Sequence, residues 1–225
     1  MDDVEKRKKK YLELLETKPW EKMDKCYENF IDKKPTYVEK VDINPQDWIQ
    51  FTVDNFDFRK MENWELDDSN DNNGNTKKAK FTIKVNNDVG RDRGNSFEVS
   101  FGNFGNTQED LRDLFGEKNF EKLGMEKNNT LVRLMVHTPG HGTPWHDDHE
   151  SLFNNRIKIN PSQWARRWFS VTDWVPGQVF QIGKTVLSNW KSGETWDIPL
   201  GVPHATCNFG YHLKFSVALS GNVLK

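Results

Sequence analysis

His212-Leu213-Lys214-Phe215-Ser216-Val217-Ala218-Leu219 changes character at every step. A strand has a side-chain period of two, so Leu213, Phe215, Val217 and Leu219 share one face. His212, Lys214 and Ser216 share the other. In an open half-buried sheet that polar face meets solvent, whereas in a small closed barrel it lines the interior. The sequence upstream favours closure. Apolar runs at 131–136, 168–171, 179–182 and 185–190 are short and separated by Gly and Pro. Many short strands at such spacing predict a barrel or jelly roll.

Two polar groups further upstream give that interior a chemistry. In His146-Asp147-Asp148, an extended backbone turns His146 and Asp148 to one side and Asp147 to the other. His204, in Pro203-His204-Ala205, follows 56 residues after Asp148 (204 − 148), enough for several intervening strands. Two imidazoles and one carboxylate on one face of an ion leave the opposite positions open, as non-haem Fe(II) sites require. An H-x-D triplet alone is weak, because such triplets also occur in turns and surface pairs. Specificity comes from the next interval: Lys214 lies ten residues after His204 (214 − 204), and Ser216 two further on. His212 competes as the third ligand, but choosing it leaves only Lys225 as a downstream cation.

This constellation resembles the 2-oxoglutarate- and Fe(II)-dependent oxygenases, over residues 131–221. Trp190-Lys191-Ser192-Gly193-Glu194, leading into Pro203-His204-Ala205-Thr206-Cys207-Asn208-Phe209-Gly210, is most similar to their aspartyl/asparaginyl β-hydroxylase-like group and related, often phage-borne, oxygenases. The resemblance implies a double-stranded β-helix with Fe(II) held by His146, Asp148 and His204 as the catalytic centre. It implies 2-oxoglutarate as co-substrate, with Lys214 and Ser216 at its distal carboxylate. It further implies reaction with dioxygen and hydroxylation of a C–H bond in an amino acid, a protein side chain or a small metabolite, releasing succinate and CO2.

The chain departs from the family pattern in two ways. Asp148 is present where some members of the group lack the carboxylate, and Lys214 stands where many relatives carry Arg. Lysine offers a point charge without a planar fork, so Ser216 is expected to orient the carboxylate. Arg166 and Arg167 are adjacent between the two ligand sets, so one is expected to reach a carboxylate of co-substrate or substrate while the other faces outward, with a structural salt bridge the equal alternative for either. Of the two, Arg167 is assigned to the co-substrate.

The fold expected is mainly β with flanking helices (α+β), a cupin-like jelly roll forming a single catalytic domain over 1–225. Residues 131–221 are its double-stranded β-helix core, and residues 1–130 a helical and mixed extension packed on it. Within that extension the spacing predicts two short helices in 2–32, no sustained period over 36–65, and a loop at 65–78. Strands are predicted at 81–85 and 96–101. A helix is predicted from Thr107, with Asp110 in the capping-box position, to Gly124. The loop 138–145 enters the metal strand and is expected to gate or hold substrate.

Composition sets outer bounds. A formal net charge of −2 gives no nucleic-acid footprint. No apolar run reaches the ~18 residues that cross a bilayer, and no secretory signal is read at the N-terminus. Cys26 and Cys207 are too few and too far apart for a disulfide framework, so a soluble cytoplasmic protein in a reducing compartment is expected. Asn128-Asn129-Thr130 is read as a turn before a strand rather than a glycosylation site. Two alternatives stand beside the oxygenase. One is a metal-binding cupin enzyme that does not use 2-oxoglutarate, to which His137, His141 and His149 would contribute, although the usual cupin H-x-H followed by Glu is missing. The other is a non-catalytic β-barrel module using an aromatic surface with nine Trp.

Overall fold

The structure, a computed structural model, describes Lys9 and residues 32–55, 81–85, 97–101, 107–146 and 162–224, with backbone alone for 81–85 and 97–101. Alternating sequences of the kind found in the last strand form two antiparallel sheets. The larger runs, in order across the sheet, β1 (Thr36–Lys40), β9 (Glu194–Asp197), β6 (Trp164–Ser170), β11 (Lys214–Val223), β4 (Met125–His137), β3 (Phe97–Phe101) and β2 (Phe81–Val85). The smaller runs β5 (His141–His146), β10 (His204–Asn208), β7 (Gln178–Ile182) and β8 (Thr185–Leu187).

The two sheets pack face to face. Met135, Trp168 and Ala218 of the larger sheet share one buried cluster with Phe180, Ile182 and Leu187 of the smaller. The opposite face of the larger sheet carries Val132, Leu134, Val136, Phe169, Phe215, Val217 and Leu219. It is covered by α1 (Pro45–Asn55), α2 (Thr107–Phe115) and α3 (Glu117–Leu123), through Trp48, Leu111, Phe115, Phe120 and Leu123. The fold is thus a double-stranded β-helix, mainly β with flanking helices, as expected.

β11 divides as its alternation predicts, with Phe215, Val217 and Leu219 on the helix side and Lys214, Ser216 and Ala218 between the sheets. Its limits differ. The strand starts at Lys214, and His212 is exposed in the bend before it. The strand runs on to Val223 because β4 and β6 supply partners for residues 220–222.

The helix expected from Thr107 to Gly124 is two helices. Gly116 between them has φ +82°, a region closed to most L-residues, and this breaks the run. α3 ends on left-handed Gly124, whose N–H reaches the Glu121 carbonyl, and β4 begins at the next residue. In residues 36–65 the sequence showed no period, yet β1 and α1 form there. Asn44 Oδ1 accepts from Gln46 N at 3.2 Å and Pro45 takes the first helical position, a recognisable start signal. Only Trp48 and Thr52 are buried in α1, too few for a visible stripe. β1 pairs with β9 and β3 with β4, so segments before residue 125 widen the sheet itself. The helices expected in 2–32 and the loop at 65–78 lie outside the described residues, apart from Lys9 and Asp32. Among the described residues no helix is long and apolar enough to cross a membrane.

Candidate metal and anion site

β5 and β10 are neighbours in the smaller sheet, and their register sets His146 directly opposite His204. The two rings are 4.2 Å apart at their centroids, although the residues are 58 apart in sequence (204 − 146). One residue too many lies in β5 between the pairs Thr143↔Thr206 and His146↔His204, a bulge of the kind that re-aims a side chain. Pro144 sits within it, where a residue without an N–H costs no ladder bond. Gly142 faces Cys207 so closely that a Cβ there would lie 2.7 Å from the Cys207 Cα. Gly142 and Pro144, expected in a loop entering the metal strand, thus lie within β5 itself, and the glycine lets β5 approach β10.

His204 is buried at 3 % exposure, and its tautomer follows from its partners. Its Nε2 lies 3.1 Å from Arg166 Nη2, and its Nδ1 lies 3.1 Å from the Val202 carbonyl. Arginine has no lone pair to offer, so Nε2 must accept and the proton must sit on Nδ1, donated to Val202. That neutral tautomer, fixed by a backbone carbonyl, is the one that presents Nε2 to a metal. Asp148, the carboxylate expected between the two imidazoles, lies outside the described residues, as do Asp147 and His149. Among the described residues no group of three or more His, Cys, Asp or Glu side chains forms a metal cluster.

Two residues along β10 from His204, Thr206 meets the buried ammonium of Lys214. Lys214 is fully buried, and its Nζ donates to the Val179 carbonyl at 2.8 Å and to Thr206 Oγ1. The Trp190 and Phe180 rings stand 5.4 and 5.9 Å from the charge. Rings and neutral acceptors soften the cost of burying a cation. Ser216, 1 % exposed, follows on the same face of β11, across from Ser170 and Met135. Trp190 Nε1 and Gln178 Oε1 are buried with no hydrogen-bond partner among the described residues. A buried cation beside an unused indole donor suits a carboxylate.

His137, opposite Lys214 on β4, is braced rather than open at Nε2, which lies 2.9 Å from Thr143 Oγ1. Asn208 Nδ2 donates to the carbonyls of His137 and His212, at 2.9 and 2.7 Å. These bonds anchor the turn that delivers Lys214. The sequence reading passed over Thr206 and Asn208. Their signal was period two from His204: positions 204, 206 and 208 share one face of β10.

The structure does not bring Arg167 to the site. It lies on the helix-covered face, where its guanidinium bonds the Leu123 carbonyl and stands 3.7 Å from Asp197. Burial lowers its pKa, with Asp197 opposing, and burial raises that of Asp197, with Arg167 opposing. The co-substrate assignment of Arg167 is therefore corrected: the member of the pair that points between the sheets, toward His204, is Arg166, because adjacent residues of a strand point to opposite faces.

No family model matches the chain, and no curated protein matches it. Among solved structures it is similar to a predicted oxalate decarboxylase from Thermotoga maritima, at 12% identity and TM-score 0.38, covering 64% of this chain and 92% of that one. It is also similar to an uncharacterized conserved protein with a double-stranded beta-helix domain from Klebsiella pneumoniae, at 16% identity and TM-score 0.30, covering 43% and 70%. A third similarity is to the DMSP lyase DddQ from Ruegeria pomeroyi, at 14% identity and TM-score 0.31, covering 42% and 39%.

Proposed function

We propose that this chain is an Fe(II)- and 2-oxoglutarate-dependent oxygenase that hydroxylates an unactivated C–H of an amino acid, a protein side chain or a small metabolite. The observation that carries the reading is a single juxtaposition. His146 and His204 oppose each other across β5 and β10, and the buried Lys214 ammonium reaches Thr206, two residues from His204 on the same strand face.

His146, His204 and Asp148 would hold the iron, with Asp148 assigned from its H-x-D spacing. When bound there, Fe(II) supplies the oxygen-activating chemistry by which C–H becomes C–OH while 2-oxoglutarate becomes succinate and CO2. The chain's own residues do the rest. Val202 holds the His204 proton on Nδ1 and so keeps Nε2 basic. Lys214 neutralises the distal carboxylate of 2-oxoglutarate, and Ser216 donates beside it. Trp168, Phe180 and Trp190 keep water away from that charge pair, which strengthens it.

The test is an anaerobic titration with Fe(II) and 2-oxoglutarate, followed by the visible charge-transfer band of a bidentate 2-oxoacid complex. The band is expected in the wild type and is lost in His204→Ala. Iron binding without the band would point instead to a cupin enzyme that does not use 2-oxoglutarate. Binding of neither would leave a silent β-barrel module.

A further inference from the structure

A lysine ammonium is a rotatable point charge without the planar fork of arginine, so its surroundings must fix where the charge sits. β10 holds both ends of Lys214. At the base, Asn208 Nδ2 donates to the carbonyl of His212, two residues before Lys214. It donates also to that of His137, which pairs with Lys214 across β4 and β11. At the tip, Thr206 Oγ1 donates to the Val179 carbonyl at 3.0 Å, and a hydroxyl has a single hydrogen to give. Thr206 therefore meets the ammonium, which is donor only, with its lone pairs. Val179 accepts from Lys214 Nζ as well, at 2.8 Å, so hydroxyl, carbonyl and ammonium form a closed triangle of bonds.

The same strand carries His204. Positions 204, 206 and 208 share one face of β10, which is paired on one side with β5 and on the other with β7. From His204 to Thr206 is ~7 Å of strand, a length set by the backbone. We propose that β10 is the ruler for the co-substrate and that Thr206 is the positioning residue that sets it. Its hydroxyl holds the Lys214 ammonium at a fixed distance from His204, so the site selects a 2-oxo dicarboxylate by chain length. This rests on the reading of His204 as an iron ligand and of Lys214 as the partner of the distal carboxylate. An ammonium held less firmly would still attract an anion, but it would accept shorter and longer chains more evenly.

Binding alone tests the ruler. Wild type, Thr206→Val and Thr206→Ser are loaded anaerobically with Fe(II) and titrated with 2-oxoglutarate, with oxaloacetate and 2-oxoadipate, one carbon shorter and longer, and with pyruvate, which lacks the distal carboxylate. Co(II), followed by its d–d absorption, reports metal affinity separately. Thr206→Val keeps the shape and loses the hydroxyl. It should bind 2-oxoglutarate roughly tenfold more weakly and narrow the preference over the other two dicarboxylates by a similar factor. Its pyruvate and Co(II) affinities should stay within about threefold of wild type, and Thr206→Ser should restore both 2-oxoglutarate affinity and chain-length preference. An unchanged preference among the dicarboxylates in folded Thr206→Val overturns the ruler and leaves the oxygenase reading standing. So does a parallel loss of pyruvate and Co(II) affinity, which would make Thr206 a structural residue. A wild-type protein that binds Fe(II) but none of the 2-oxoacids overturns the co-substrate reading and the ruler with it.

Discussion

Arg166 and Arg167 are neighbours on β6, and they live in different proteins, physically speaking. Arg166 points between the sheets and meets an imidazole of the smaller sheet, whereas Arg167 points under the helices and meets a helix-end carbonyl and Asp197. The same contrast runs along β11, where Lys214 and Ser216 alternate with Phe215 and Val217. One face of the larger sheet is closed by apolar packing and spends its burial on stability. The other keeps buried polar groups close together and uses the stability earned by the first. Period-two alternation lets one strand serve both purposes.

If the faces are separable in this way, the largest effect on the closed face should leave the polar face intact. Phe169→Ala removes a ring with no exposure that stacks on Phe115 and meets Trp48 edge-on. Its cost should be ~3–5 kcal/mol in urea unfolding. Co(II) affinity of the folded protein should change less than about threefold, because the two faces share no partner in that cluster. A parallel loss of metal affinity would show that the helices position the site.

The converse experiment is somewhat smaller. Lys214→Met should weaken 2-oxoglutarate binding by ~10- to 100-fold, the loss of a sheltered charge-assisted contact. Fe(II) binding should hold within about threefold. Unfolding stability should stay level or rise, because an apolar chain of similar length replaces a buried ammonium. Calorimetry of co-substrate binding and urea melts decide it. A collapse in stability would make Lys214 a structural cation like Arg167.

The smallest effect belongs to Asp197. Burial outweighs the attraction of Arg167 and holds its carboxyl above the ordinary value of 3.8. A folded-state pKa raised above the unfolded one contributes stability that is present below the unfolded value and lost as pH climbs through the folded one. Asp197→Asn lacks this contribution. Its stability relative to the wild type should therefore improve from about pH 3.8 upward and level off above the shifted pKa. Melts at matched ionic strength across that range check it, and a difference that falls as pH rises would mean that Arg167 sets the balance instead.

Much of the fold was legible where alternation was strong. The runs at 131–136, 179–182 and 213–219 all lie in or at the edge of real strands, because one of their faces is continuously apolar. β1, β9 and β10 were not read as strands. They are short, and β9 and β10 carry polar residues that face the interior, so their pattern lacks the contrast on which periodicity depends. α1 escaped because two buried residues in eleven make no stripe. In the site, the preference for His204 over His212 rests on the ten-residue interval to Lys214, and the structure leaves His212 exposed while Lys214 is buried beside the strand that holds His204. The choice between Arg166 and Arg167 went the wrong way, because sequence says that neighbours diverge and does not say which of them turns inward.

By itself, then, the sequence determined which residue types alternate along each strand, and hence that one face of β11 would be polar in an otherwise apolar sheet. It also determined the intervals from His146 to His204 and from His204 to Lys214. Tertiary structure alone decided that His146 and His204 stand opposite each other, that Val202 and Arg166 fix the tautomer of His204, and that Arg166 rather than Arg167 points between the sheets. The reason is physical: alternation is a local property of the backbone, whereas register and facing are set by pairing and packing between segments tens of residues apart.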